Sequence, residues 1–131
     1  MIALDTNVLA RFLLADDAAQ LVAAKKLLAG PEEQFLIPVT VVLELAWVLR
    51  QRGVPRAKLV DELRRLIALP GVQAQMPEAI ARTLDRSEQG FDVADALHLA
   101  LSAKADRFAT FDDDLAACSR RSGVEPPVFI P

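Results

Sequence analysis

Cysteine and histidine occur once each in this 131-residue chain, as Cys118 and His98. A lone cysteine cannot close an internal disulfide, so a disulfide-stapled scaffold is excluded. One thiol and one imidazole also cannot make up the cysteine- and histidine-rich ligand set of a structural zinc site. Glycine is scarce, with 5 residues, and 53% of the chain is hydrophobic, a composition that suits a helix-rich domain with a packed core. No uncharged apolar run approaches the roughly 18 residues that a membrane-spanning helix needs. Met1 to Arg11 lacks the basic start and long apolar stretch of a secretion signal, so a reducing cytoplasm is the expected location. A basic excess is absent as well: 15 Lys and Arg stand against 18 Asp and Glu, for a net charge of −3. That balance argues against broad electrostatic wrapping of nucleic acid and leaves room for a locally basic rim around an acidic site.

At 131 residues the chain fits one domain, 1–131, by the usual prior of roughly 100 to 200 residues. It contains no internal repeat, low-complexity tract or linker. Ile2-Ala3-Leu4 reads as a buried strand, expected to be central to a sheet, with Asp5, Thr6 and Asn7 at its exit. Leu9, Phe12, Leu13 and then Leu21, Ala24, Leu27, Leu28 recur at helical spacing. They give helices near 7–14 and 17–29, with Asp16-Asp17 as a cap between them and Gly30-Pro31 as a stop. Phe35-Leu36-Ile37 before Pro38 is a second strand. Thr40 opens a helix running to about Arg52, and Pro55 leads another through Leu59, Leu63, Leu66 and Ile67. Val72 to Gln75 is a short strand and Pro77 to Gln89 a helix. Asp92 then caps a helix whose apolar face is Ala94, Leu97 and Leu101. A strand over 107–111, a helix headed by Asp112-Asp113-Asp114 and an edge strand at Val128-Phe129-Ile130 complete the chain. Strands alternating with helices predict an α/β sandwich with a central, largely parallel sheet flanked by helices.

Four acids share one topological description. Asp5 and Asp112 directly follow strands, while Glu44 and Asp95 lie in early turns of helices, and in parallel α/β sheets such places converge on the carboxyl edge where ligands bind. Each has a simpler reading. Asp5 and Asp112 suit helix caps, and Asp95 stands three residues after Asp92, as in a capping box. Glu44 fits that motif poorly, because Leu43 occupies the position three after Thr40. Its neighbours one turn away, Thr40, Val41, Trp47 and Val48, offer no cation, so we expect a carboxylate on an apolar face in need of a partner. Two carboxylates about 4 Å apart repel by roughly 4 kcal/mol at an effective dielectric near 20. With no soft ligands to hand, an all-oxygen cluster suits Mg²⁺ or Mn²⁺, and a hard cation held this way suits phosphodiester hydrolysis.

The whole chain resembles the PIN-domain ribonucleases, and within them the VapC-type toxins of toxin–antitoxin pairs. The resemblance is carried by Leu4-Asp5-Thr6-Asn7-Val8-Leu9, by Thr40-Val41-Val42-Leu43-Glu44, by Asp92-Val93-Ala94-Asp95-Ala96-Leu97-His98 and by Ala109-Thr110-Phe111-Asp112, in that order. It implies a metal-dependent endoribonuclease acting on RNA, with Asp5, Glu44, Asp95 and Asp112 as catalytic and metal-binding acids. It also implies a homodimer and a cognate antitoxin. Asp114 is the second choice after Asp112 for reaching the metal, and the parts of Asp113 and Asp92 stay open. His98 is read as a packed or supporting residue, Thr6 and Asn7 as support for the carboxylates, and Trp47 as core or dimer interface. Arg11, Arg50, Arg52 and Arg56 are the candidate phosphate contacts. Rival readings are a PIN-domain RNA-processing nuclease without an antitoxin and a receiver-like phosphoacceptor. A haloacid-dehalogenase phosphatase would need an aspartate where Asn7 stands, and a receiver would need a paired aspartate after its first strand.

Overall fold

A computed structural model describes residues 1–30 and 33–131, so the Pro31 half of the expected helix stop lies outside the described residues. The chain runs β1 (Ile2–Ala3), α1 (Thr6–Leu14), α2 (Ala18–Leu28), β2 (Phe35–Ile37), α3 (Val39–Gln51), α4 (Arg56–Ile67), β3 (Val72–Ala74), α5 (Pro77–Glu88), α6 (Val93–Leu101), β4 (Phe108–Ala109), α7 (Asp113–Ser122) and β5 (Val128–Phe129). Every expected helix is present, within a residue or two at each end. The chain divides into two compact units, Met1–Pro77 and Glu78–Pro131.

In the first unit, β1, β2 and β3 form a parallel sheet in that order. The first strand is therefore not the central one: β2 lies between β1 and β3. Ile2 pairs with Phe35 and Ala3 with Leu36, and Leu4 N donates to Leu36 O at 2.9 Å, extending the pairing to the threshold of Asp5. Parallel neighbours need a crossover, and the α1–α2 and α3–α4 pairs provide them. Helix α1 packs on α2 and α3, α3 on α4, and α4 on β3. The core of this unit includes Leu4, Leu9, Phe35, Ile37, Leu45, Leu49 and Leu63. Its edge carries an ionic tie in which Arg11 Nη1 donates to both Asp16 oxygens at 2.8 Å and Arg52 Nη2 donates to Asp16 Oδ2 at 2.9 Å. Asp17, next in sequence, is left as the cap of α2, accepting from Gln20 N at 3.0 Å. Two of the four arginines expected to meet phosphate are thus held by a carboxylate of the same chain.

In the second unit β4 and β5 make their own parallel pair, Phe108 with Val128 and Ala109 with Phe129. The expected single central sheet is thus two sheets among the described residues, both wholly parallel. The strand expected over 107–111 is only Phe108–Ala109, because its partner β5 is two residues long. Phe91, Ala96, Leu99 and Leu115 form a buried cluster against which Phe108, Cys118, Val124 and Val128 pack. On α6 the buried residues are Val93, Ala96, Leu97, Leu99 and Ala100. Leu101, expected on the apolar face, is 44% exposed, since burial on α6 follows 93, 96, 97 and 100 rather than 94, 97 and 101.

One glycine is fixed by geometry. Gly71 precedes β3 with φ of 78°, and a Cβ there would lie 2.8 Å from the carbonyl oxygen of Glu33. Its own carbonyl accepts from Phe35 N at 2.8 Å, so the chain cannot move aside without loosening the start of the β2–β3 pairing. Gly71→Ala adds a left-handed strain of about 1–3 kcal/mol to that clash. We expect it to lower the urea denaturation midpoint by more than Gly53→Ala does, where a Cβ meets nothing within 4 Å and only the backbone strain is incurred.

Candidate acidic site

Asp5 occupies the N-cap position of α1 in extended conformation, yet its side chain makes no capping hydrogen bond. The carboxylate is exposed while Leu4 and Thr6 on either side are buried, at 3% each. Capping, the simpler reading of this aspartate, is therefore not what its side chain does. Because β1 and β2 are parallel and in register, the residues that follow them leave the same edge: Asp5 after β1, and Pro38 with α3 after β2.

Helix α3 begins one residue earlier than expected, at Val39. Pro38 is its N-cap and supplies no side-chain acceptor. The first-turn N–H groups of a helix need partners, and Gln75, just past β3, provides one by accepting from Val39 N at 2.9 Å. Sequence reading missed Gln75. The signal available was a helix start at a residue that cannot cap, which obliges an acceptor from elsewhere in the chain.

Glu44 stands on α3 facing solvent, not on a buried face. Val41, Val42, Leu45, Ala46 and Leu49 are buried, whereas Thr40, Glu44 and Trp47 are exposed. The expectation of an apolar setting is corrected here: Val41 and Val48 flank Glu44 in sequence spacing, but the buried stripe runs along the other side of the helix. Trp47 is 61% exposed and is not core.

In the second unit the acids gather. Asp92 caps α6 by accepting from Ala94 N through Oδ2 at 3.1 Å. Asp95, one turn on, is partly buried, and its carboxyl is pushed above the usual aspartate range, first by desolvation, then by the charges of Asp92 and Asp112, with His98 opposing. Asp112 caps α7: its Oδ1 accepts from Asp114 N at 2.9 Å and Leu115 N at 3.1 Å, while Oδ2 takes no part in the cap. Its own N–H donates to Thr110 Oγ1 at 3.0 Å. Capping thus claims one oxygen of Asp112 and leaves the other. Asp113 and Asp114 are exposed in the first turn of α7, where the helix dipole favours acids. His98 is exposed, not packed.

The donor chemistry suits a hard divalent cation, since every acid named is an oxygen donor and the crowding around Asp95 is what a cation relieves. Among the described residues no three His, Cys, Asp or Glu side chains form a ready-made metal cage. Mg²⁺ is commonly held by one or two carboxylates with waters and substrate phosphates completing the shell, and Asp95 with Asp112 fits that sparser arrangement.

Two parallel sheets with helices returning between strands, and an acid after β1 and after β4, define a parallel α/β protein with acids at strand exits. The PIN domain family model matches residues 2–120, and the chain belongs to the PIN-domain family. Among solved structures, the Mycobacterium tuberculosis toxin VapC20, described as cleaving the sarcin–ricin loop, is similar at 24% identity and a TM-score of 0.44, covering 89% of this chain and 94% of that one. No curated protein matches the sequence.

The crowding of Asp95 has a consequence for stability. A carboxyl whose folded-state pKa is raised binds its proton more tightly when folded, so the native state gains from protonation at low pH and loses that gain as pH rises through the raised value. Asp95→Asn removes the charge. In EDTA at pH 7 the variant should melt higher than the wild type, and the difference should shrink as pH falls toward about 4, the ordinary aspartate range. Equal melting at pH 7 would mean that the charge is not crowded.

Proposed function

We propose that the protein is a Mg²⁺- or Mn²⁺-dependent endoribonuclease that hydrolyses RNA phosphodiester bonds, with Asp5, Glu44, Asp95 and Asp112 as its catalytic carboxylates and Asp114 as an accessory ligand. The observation that carries the chemistry is Asp95: a partly buried carboxyl raised by desolvation and by two neighbouring aspartates, in a chain that belongs to the PIN-domain family. Acids perturbed by desolvation together with a named charge partner cluster at functional sites.

A divalent ion held here would activate water and neutralise charge developing on the attacked phosphate. The chain's own contribution is positioning. The cap bonds from Asp114 N and Leu115 N fix the Asp112 carboxyl so that Oδ2 keeps one direction. Asp95 sits on a helix whose neighbours Ala96 and Leu99 are packed in the core of the second unit, so its backbone is anchored. Asp5 is held by the buried residues on both sides of it. Asn and Asp rank alike as N-caps, so an amide at Asp112 keeps the helix while removing the charge.

The toxin reading, with a cognate antitoxin, a homodimer and a cytoplasmic setting, rests on the four-segment resemblance to VapC-type toxins. Trp47 on α3 is 61% exposed, which leaves the interface as the one of its two expected roles still proposed.

We expect RNA cleavage by the purified protein in millimolar Mg²⁺ or Mn²⁺ and none in excess EDTA. Asp5→Asn, Glu44→Gln, Asp95→Asn and Asp112→Asn should each lower the single-turnover rate at least about a hundredfold, on the scale typical of groups that stabilise charge in a transition state. Circular dichroism should show folded proteins throughout. Metal at about 100 times its dissociation constant should raise wild-type stability by roughly 2.7 kcal/mol and that of the amide variants by less. Undiminished cleavage in EDTA would overturn the metal-dependent chemistry.

A further inference from the structure

We infer that Phe111 is a stacking platform for an unpaired base of the RNA beside the cleaved phosphate, making it a substrate-binding residue that holds the strand at the cut. The inference rests on the ribonuclease reading above. Phe111 is the most exposed large hydrophobic residue described, at 82%. It lies at the exit of β4 and immediately precedes Asp112, so its Cα is about 3.8 Å from that of a proposed catalytic acid.

The ring is exposed on a backbone held from both sides. Thr110 N donates to Phe129 O at 3.0 Å, which ties the residue before it to β5. Asp112 N donates to Thr110 Oγ1 at 3.0 Å and the Asp112 carboxyl caps α7, which ties the residue after it. Holding a phenyl ring in water forgoes the free energy of its burial, which a partner recovers on contact.

The polar chain neighbours of Phe111 favour a base over a protein face, although Ile130, next after β5, is also exposed at 41%. Docking surfaces between proteins present contiguous apolar area with charge depleted at the centre. Phe111 is flanked by Thr110 and by Asp112, Asp113 and Asp114, all polar and the three aspartates exposed. A nucleobase needs only one ring face, and unpaired bases in RNA are commonly taken up by stacking on an aromatic side chain. A cation on the neighbouring acids would offset their repulsion of the backbone phosphates. On the same small sheet, Arg107 lies over the Phe129 ring at 4.6 Å and adds a positive charge.

The test uses the full chain and a random-sequence pool of single-stranded RNA with Mn²⁺. Cut sites are mapped for the wild type, and kcat and KM are then measured on one oligonucleotide that is cut and on versions with each base altered next to the break. Stacking on an aromatic contributes about 1–3 kcal/mol per base, equivalent to about 5- to 150-fold in affinity. Phe111→Ala should therefore raise KM about 5- to 150-fold and leave the melting temperature unchanged, while Phe111→Trp should restore binding. A 2-aminopurine placed beside the cleavage site should be quenched by the wild type and not by Phe111→Ala. If the wild type cuts and Phe111→Ala cuts the same sites with the same KM, stacking is overturned while the ribonuclease reading stands. The same kinetics accompanied by release of a copurifying protein would assign Phe111 to a protein contact instead, which also overturns it. No cleavage by the wild type in any metal would remove the ribonuclease reading itself.

Discussion

Parallel pairing of strands is the constraint on which the rest of the structure depends. Because β1, β2 and β3 run the same way, and β4 and β5 likewise, each strand must be followed by a helical return before the next can pair. Every strand then leaves its sheet at a carboxyl end, and after β1 and β4 the residue at the start of the following helix is an aspartate. Asp5 after β1 and Asp112 after β4 are instances of this one rule. An acidic edge is a topological product before it is a chemical one, which is why cap and ligand are hard to tell apart by position alone.

The helices were legible because their signals are local. Apolar residues three and four apart, Asp17 and Asp92 as caps, and Pro55 at the head of a helix all act within one or two turns. The strands were less so. A two-residue strand such as Phe108–Ala109 is defined by how far its partner extends, and the length of β5 cannot be read from residues 107–111. The assignment of β1 to the middle of a sheet failed for the same reason, since strand order is a long-range property. Glu44 shows a different limit. Its apolar neighbours in sequence were read as its surroundings, but a helix with apolar residues at 41, 42, 45, 46 and 49 already has a full buried stripe, and Glu44 falls outside it.

The arginines illustrate what charge counting omits. Arg11 and Arg52 look like free cations in the sequence, but Asp16 draws both, and the hydrogen bond from Arg11 holds that aspartate's carboxyl below its usual range. The pair lies in water, where such bridges contribute little to stability. Its effect is to fix the direction of two long side chains that would otherwise be available to an anionic ligand. Gln75 is the complementary case: an uncharged residue given no role in the sequence turns out to satisfy the start of α3, because Pro38 leaves an N–H without a local acceptor.

The two oxygens of a carboxylate resolve the rivalry between cap and ligand at Asp112. A cap needs one acceptor, and both N–H groups that α7 presents converge on Oδ1. The second oxygen is then held in direction by bonds it does not itself make. A metal or substrate group meeting Oδ2 would encounter a donor already ordered, so less rotational freedom is lost on binding. Asp95 is the counterpart that capping does not explain. Its side chain is desolvated and repelled by Asp92 and Asp112, and the cap of α6 is already made by Asp92. One aspartate stabilised by its helix beside another made unfavourable by its neighbours is the asymmetry expected where a fold supplies rigidity with one acid and leaves the charge of the next to be neutralised by what binds.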